Sequence, residues 1–272
     1  MIDRVWCCSQ NAGVSQMRHN RSAPNLGGFR VCNMTKRFVI TGCGRSGTTF
    51  SAELLTRLGC PCVHEQYFGV KKPPRIVEQL AGLGLLTMRW KMPPYGEAAW
   101  QAAALLPLLP RDLVVFHQVR HPLDYIRSRH KKGWIHGRTR HRRLRHLPRL
   151  GQKDFGRLPL AEQVDLVARF WVDWNELLEA RVGERTYFRY RVEDMDVELV
   201  RRMLDMIEFP CERSLIEQTL RILPTNVNTR GEKREDITLD LIAPATRERV
   251  LALAQRYGYA LDGIDGRDEA RA

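Results

Sequence analysis

The chain has 272 residues, of which 43% are hydrophobic and 28% are charged, and its formal net charge is +13. This length and composition predict one globular α/β domain with a sizeable core. The longest nearly uninterrupted apolar run, residues 102–110, is about half of the roughly 20 residues that a membrane-spanning helix needs. We therefore predict no membrane span.

The first part of the chain differs in composition from the rest. Residues 1–35 are rich in Asn, Ser, Gly and Arg, and they show no hydrophobic periodicity. We interpret them as a disordered tail or a misassigned start, and we place the folded domain at residues 36–272. No apolar segment follows a basic start, so no secretory signal is predicted and the expected compartment is the cytoplasm.

Alternating strands and helices are predicted from residue 37 onwards. Short apolar runs predict strands, and helical spacing of apolar residues between caps predicts helices. The predicted strands are 37–43, a short one within 59–69, 87–92, 112–120 and 185–191. The predicted helices are 48–59, 75–84, 96–109 (broken by a proline), 121–130, 160–183, 196–207, 213–222 and 245–259. This alternation predicts a three-layer α/β fold with a central parallel sheet flanked by helices.

The excess of positive charge is concentrated between the fourth and fifth predicted strands. Residues 129–149 contain nine Lys and Arg and no Asp or Glu. We interpret residues 129–157 as a basic loop insertion. It is either a solvated surface loop or a segment that attracts an anionic acceptor or polyanion.

The seven cysteines are scattered along the chain and lack paired CxxC spacing. This distribution predicts reduced thiols and no metal site.

A phosphate-binding loop is predicted between the first strand and the first helix. The segment reads TGCGRSGTTF, and Gly42 and Gly47 have the separation found in nucleotide-binding P-loops. Thr48 stands where such a loop has lysine, and Arg45 is the cation inside the segment. Backbone N–H groups at the start of the following helix can still bind an anionic group.

A second anion site is predicted at the end of the fourth strand. In a P-loop kinase or GTPase such a strand commonly ends in an Asp that organises Mg²⁺, whereas this one ends in Arg120. Ser128 follows on the next helix, eight residues later. Because ligands bind at the carboxyl edge of parallel sheets, Arg120 and Ser128 can converge on one separate phosphate.

Together the two motifs resemble those of the sulfotransferase superfamily. GRSGTTF is similar to its 5′-phosphosulfate loop, and RHPLDYIRS is similar to its 3′-phosphate motif. The resemblance implies a P-loop NTPase-like fold and the cosubstrate 3′-phosphoadenosine 5′-phosphosulfate (PAPS). It also implies transfer of the sulfuryl group without a required metal. The residues that would bind the cosubstrate are Arg45, Ser46, Gly47, Thr48, Thr49, Arg120, Ser128 and, in a loop near the C-terminus, Arg230.

The acceptor needs a catalytic base, and the candidates are Glu65, His64, His117 and His121. Glu65 is preferred because tyrosyl-protein and some bacterial sulfotransferases have a glutamate shortly after the first helix. His64 is expected to point the other way along a strand. His117 is predicted to be a core residue and His121 a neighbour of the phosphate site. Arg45 would stabilise charge on the departing oxygen.

Two other functions stay open at this point. One is a P-loop kinase, and the other is a polyanion-binding protein with a degenerate nucleotide pocket. The sequence leaves the acceptor undefined among small molecules, lipids, glycans and peptides, with a mild preference for an anionic one. Nucleic acid is not expected as a partner, and the oligomeric state is not indicated.

Overall fold

The computed structural model describes residues 36–66, 68, 96–130, 155–224 and 237–260. All of these belong to one compact unit, Cys32–Ala272. Several predictions lie outside the described residues. They are the N-terminal tail, the helix at 75–84, the strand at 87–92, most of the basic insertion and Arg230.

Five parallel strands form one sheet. The strands are β1 Phe38–Gly42, β2 Cys62–His64, β3 Gly96–Ala98, β4 Val114–Val119 and β5 Tyr187–Arg191. Their order across the sheet is β2-β3-β1-β4-β5. β1 and β4 lie side by side, and both consist of buried residues rich in Val, Ile and Phe. This composition is typical of a parallel strand that is covered on both faces.

Seven α-helices occur among the described residues and cover both faces of the sheet. The helices are α1 Thr48–Arg57, α2 Ala102–Leu105, α3 Pro122–His130, α4 Leu160–Val182, α5 Val197–Met206, α6 Arg213–Ile222 and α7 Pro244–Arg256. One hydrophobic cluster joins the sheet to α1, α5 and α6, and a second joins it to α2, α3, α4 and α7. The predicted three-layer α/β fold is therefore confirmed.

The helix predicted at residues 96–109 is wrong in its first part. Gly96–Ala98 is strand β3, and a short helix and a 3-10 turn, Leu106–Leu108, follow it. A Cβ atom at Gly96 would lie 1.9 Å from Cζ of Phe38, so the place beside β1 accepts a residue without a side chain. Tertiary packing thus overrides the helical preference of an alanine-rich run.

The two ends of the basic insertion are parts of the packed fold. Arg129 and His130 form the last turn of α3 and are buried. Phe155, in the 3-10 turn Phe155–Arg157, is also buried against the α3 and α4 side of the sheet. Residues 131–154 lie outside the described residues.

Within the part of the chain that the structure describes, no helix combines the length and the apolar character that crossing a bilayer requires.

Candidate functional site

The strand order defines one crevice at the carboxyl edge of the sheet. The chain leaves β1 towards β2 on one side, whereas it leaves β4 towards β5 on the other. In open α/β sheets a ligand binds where neighbouring connections diverge in this way. Two features lie at this crevice. One is the segment that joins β1 to α1, and the other is Arg120, the residue that follows β4. We call residues 43–49 the anion loop.

The anion loop has an unusual backbone. Arg45 has a φ of 91° and Gly47 a φ of 100°, both in the left-handed region. The N–H of Ser46 donates to the carbonyl oxygen of Cys43 at 3.0 Å, which closes a tight turn. For Arg45 this conformation costs about 1–2 kcal/mol. Such strain persists where the surrounding contacts enforce it, and it is common at functional sites.

Gln118, on β4, holds the anion loop from below. Its Nε2 donates to the carbonyl oxygen of Ser46 at 2.6 Å. Its Oε1 accepts from the hydroxyls of Ser51 at 2.7 Å and Tyr190 at 2.8 Å. The Gln118 side chain is fully buried. One amide therefore connects the loop, α1 and β5.

Replacing Gln118 with alanine should destabilise the protein. The substitution would remove the donor of the Ser46 carbonyl and the shared acceptor of the Ser51 and Tyr190 hydroxyls, which would keep only their contact with each other at 3.4 Å. Loss of a partner for a buried polar group costs about 1–3 kcal/mol. We expect the free energy of unfolding to fall by about 2–4 kcal/mol in a urea titration. An unchanged transition midpoint would contradict this assignment. Gln163→Ala is the matched control, because Gln163 bonds with His130 and the Leu158 carbonyl instead.

The two predicted anion motifs meet in the structure. Nε of Arg45 donates to Oγ of Ser128 at 3.4 Å, although these residues are 83 positions apart. Nη1 of Arg120 donates to the carbonyl oxygen of Arg45 at 3.1 Å. The indole N–H of Trp171 donates to the carbonyl oxygen of Arg120 at 3.3 Å. Two guanidinium groups and one hydroxyl are thereby gathered beside the anion loop.

The start of α1 adds further donors to the site. The N–H groups of Phe50 and Ser51 bond to the carbonyl oxygen of Gly47. The N–H groups of Gly47 and Thr48 precede the first turn of backbone bonds, so helix geometry gives them no acceptor inside α1. Together with the helix dipole, they make this end of α1 attractive to an anionic group.

His64 contacts the anion loop directly, contrary to the expected direction. Its Nε2 lies 3.2 Å from Oγ1 of Thr48 and 3.2 Å from Oγ1 of Thr49. The side chain lies on the α1 face of β2, as Cys62 does two residues earlier. Burial lowers the pKa of His64, and the neighbouring Glu65 carboxylate partly opposes this shift. The imidazole is therefore held near two loop hydroxyls.

Glu65 follows β2 at the same carboxyl edge. It has a left-handed backbone with a φ of 51°, and its N–H donates to the carbonyl oxygen of Ala98 at 3.2 Å. Glu65 is only partly exposed. The structure thus places the predicted base one residue after His64 and at the edge of the sheet where the anion loop lies.

The two other histidines that were candidates for the base, His117 and His121, are buried. His117 is fully buried between Tyr187 and Asn175, at 2.7 and 2.9 Å, and burial lowers its pKa to about 3. The prediction that it is a core residue is confirmed. His121 is buried next to Arg120, and its backbone N–H donates to the Glu193 carboxylate at 2.8 Å.

Two residues beside the anion loop were not identified from the sequence. Gln118 supports the loop, and its signal was a polar residue inside an apolar strand. Arg129 lies next to the loop, because a Cβ at Gly44 would be 3.0 Å from its Nη2. The sequence did not indicate this position, because Arg129 begins a run of basic residues that was interpreted as a loop.

Most predicted site residues lie in the anion loop or beside it. They are Arg45, Ser46, Gly47, Thr48, Thr49, Arg120 and Ser128, with Glu65 at the same sheet edge. Arg230 lies outside the described residues. The chain matches none of the protein-family models with which it was compared, and none of the curated protein sequences. Its function is therefore inferred from the geometry of its own residues.

Proposed function

We propose that the chain is a sulfotransferase with a P-loop NTPase-like fold. It moves the sulfuryl group of PAPS to a hydroxyl or amine of an acceptor, which is a small molecule, lipid or glycan. The observation that carries the proposal is the contact between the two anion motifs. Arg45 reaches Ser128, and Arg120 reaches the backbone of Arg45. One edge of the sheet thus offers donors for two separate anionic groups.

The donors at the site suit PAPS. The anion loop offers N–H groups, hydroxyls and Arg45 for the 5′ group, and Arg120 and Ser128 lie beside it for the 3′-phosphate. Ser46 is a further proposed ligand of the 5′ group, and its Oγ is buried without a hydrogen-bond partner among the described residues. Arg230 is a further candidate for the 3′-phosphate.

In the proposed reaction, the chain's residues align the groups and stabilise charge. When bound, PAPS supplies the sulfuryl group, and no metal is required. The acceptor oxygen or nitrogen forms a bond to sulfur while the bond from sulfur to the bridging oxygen breaks. Arg45 and the N–H groups of Gly47 and Thr48 stabilise the negative charge on adenosine 3′,5′-bisphosphate as it leaves. Glu65 accepts the acceptor's proton.

A kinase is the weaker alternative for this site. A P-loop kinase uses a lysine at the position of Thr48 and a carboxylate at the end of the strand where Arg120 stands. An arginine there would repel Mg²⁺ rather than bind it. The polyanion-binding alternative depends on the basic segment from Arg129 to Arg149, most of which lies outside the described residues.

Calorimetric titration of the purified protein with adenosine 3′,5′-bisphosphate tests the proposal. We expect binding that does not depend on Mg²⁺, together with weaker or no binding of ATP in the presence of Mg²⁺. Transfer of labelled sulfate from PAPS to a panel of acceptors then tests the activity. Preference for Mg·ATP, or no binding of the bisphosphate, would overturn the proposal.

Replacing Glu65 with glutamine should separate binding from catalysis. The amide cannot accept the acceptor's proton, so turnover should fall about 10²- to 10⁴-fold. Affinity for adenosine 3′,5′-bisphosphate should change little, because the anion loop keeps its donors. Steady-state turnover of PAPS and calorimetry on the same preparation provide the two measurements.

Glu208→Gln is the matched control for this substitution. Glu208 also has a left-handed backbone, with a φ of 56°, but its carboxylate pairs with Lys36 at 2.8 Å on the surface. We expect turnover of this variant to equal that of the wild type. If Glu65→Gln also retained full turnover, another group would have to serve as the base.

A further inference from the structure

The imidazole of His64 lies close to two hydroxyl groups of the anion loop. One ring nitrogen, Nε2, lies at the same distance, 3.2 Å, from the hydroxyl oxygens of Thr48 and Thr49. These two residues are the first two of α1. The imidazole therefore meets the loop at the point where an anionic oxygen would approach the N–H groups of that helix.

The protonation state of Nε2 decides which way the two hydroxyls point. When Nε2 carries no proton, it accepts from a threonine hydroxyl, and that O–H bond is directed at His64. When Nε2 carries a proton, it donates to the threonine oxygens, and both O–H bonds become available to another acceptor. An anion in the loop needs donors, so it favours a proton on Nε2. The negative charge of the anion further favours the imidazolium, which carries a proton on both nitrogens, over the neutral Nε2–H tautomer.

The surroundings of His64 disfavour its charged form when no anion is bound. Burial is the larger influence and lowers its pKa, whereas the Glu65 carboxylate raises it. α1 presents the two threonine hydroxyls and, one turn further on, the exposed ion pair between Glu53 and Arg57. β3 presents Ala98, the partner of His64 in the sheet. A phosphate or sulfuryl group in the loop would add negative charge nearby and raise the pKa.

We propose that His64 is a positioning residue that takes up a proton when an anionic group binds to the loop and thereby turns the Thr48 and Thr49 hydroxyls towards that group. This inference rests on the proposed function in one respect, namely that the loop binds the 5′ group of a nucleotide. It adds that binding of the nucleotide is coupled to protonation of a histidine in the protein.

Because binding of the nucleotide is coupled to protonation of His64, the direction in which the affinity changes with pH can be derived. The pKa of His64 is higher in the complex than in the free protein, so binding takes up a proton between these two values. In that window the affinity falls as the pH rises, by up to about tenfold per pH unit. Below the free pKa and above the bound pKa, His64 contributes nothing to the change of affinity with pH.

Calorimetry with adenosine 3′,5′-bisphosphate tests the coupling. Titrations from about pH 5.5 to about pH 8.5 cover the range in which histidine titrates. At each pH, two buffers with different heats of ionisation give the number of protons taken up. His64→Gln keeps a hydrogen-bonding group near the position of Nε2 but cannot take up a proton. The ligand's own phosphates also titrate, and their contribution cancels in the difference between wild type and variant.

We expect wild type to take up as much as one proton more than His64→Gln, and the variant to lose the corresponding fall in affinity with pH. His130→Gln is the matched control, because His130 is buried and bonds with Gln163. It should keep the uptake of wild type. Histidine ring NMR on the wild type supplies a second measurement, in which the bisphosphate should raise the pKa of His64.

The outcomes separate the two proposals. Binding of the bisphosphate with equal proton uptake in wild type and His64→Gln, or with an unchanged His64 pKa in the NMR titration, would overturn this inference alone. Absence of binding in wild type would overturn the proposed function and, with it, the inference.

Discussion

Arg120→Ala should weaken the binding of adenosine 3′,5′-bisphosphate by about 100-fold or more. The substitution removes the proposed charge-assisted donor to the 3′-phosphate, and such a bond contributes about 1.5–3 kcal/mol. It also removes the hydrogen bond of Nη1 to the Arg45 carbonyl, which supports the anion loop. Both losses act on the same ligand, so the effect should exceed that of one contact. Calorimetry gives the affinity, and thermal unfolding shows whether the variant is folded.

Two further variants sharpen this test. Arg120→Lys keeps the charge but lacks the planar fork, so we expect an intermediate loss of about tenfold. Arg213→Ala removes an exposed arginine that pairs with Glu198 and Glu217 at the start of α6. Its affinity for the bisphosphate should equal that of wild type. Equal affinities of Arg120→Ala and wild type would mean that Arg120 supports the fold and does not bind the 3′-phosphate.

Gly42→Ala should be strongly destabilising. Gly42 is the last residue of β1 and lies opposite Gln118 on β4. A Cβ atom there would lie 2.0 Å from the backbone oxygen of Gln118, and backbone cannot move aside as a flexible side chain can. The central strands would have to separate at the base of the anion loop. We expect the free energy of unfolding to fall by about 3 kcal/mol or more, measured by urea unfolding.

Gly258→Ala separates this clash from the general cost of replacing a glycine. Gly258 has a φ of 77°, and its added Cβ would lie 3.7 Å from Nη1 of Arg191, an ordinary contact. Only the left-handed backbone is penalised, at about 1–2 kcal/mol. If the two variants lost the same stability, the close approach of β1 and β4 would not be the cause.

The sequence predicted the central elements well because their signals are local. β1 and β4 are apolar runs, and α4 has apolar residues at helical spacing and ends before Gly183. The anion loop was predicted from glycines whose spacing reflects backbone geometry. The positions of Arg120 and Ser128 at the same edge as the loop were expected, because carboxyl ends of parallel strands share an edge. The hydrogen bond of Arg45 to Ser128 was not predicted.

Other features depend on contacts between distant residues and could not be predicted. Residues 96–98 form a strand that pairs with β1, and Phe38 leaves no room there for a side chain at Gly96. The direction of His64 depends on which face of β2 meets α1, and this follows from the strand order rather than from local sequence. The role of Gln118 requires three partners that are up to 72 positions away.

The anion loop also has a consequence for the order of events during synthesis. The Gly42 carbonyl at its base accepts from the indole N–H of Trp174, 132 positions later. Gln118, which holds the Ser46 carbonyl, is itself held by the Tyr190 hydroxyl. A nascent chain therefore carries its ligand loop for well over a hundred residues before the last supports emerge from the ribosome. Contacts of such long range form slowly, and fragments that stop before β5 should lack a functional loop.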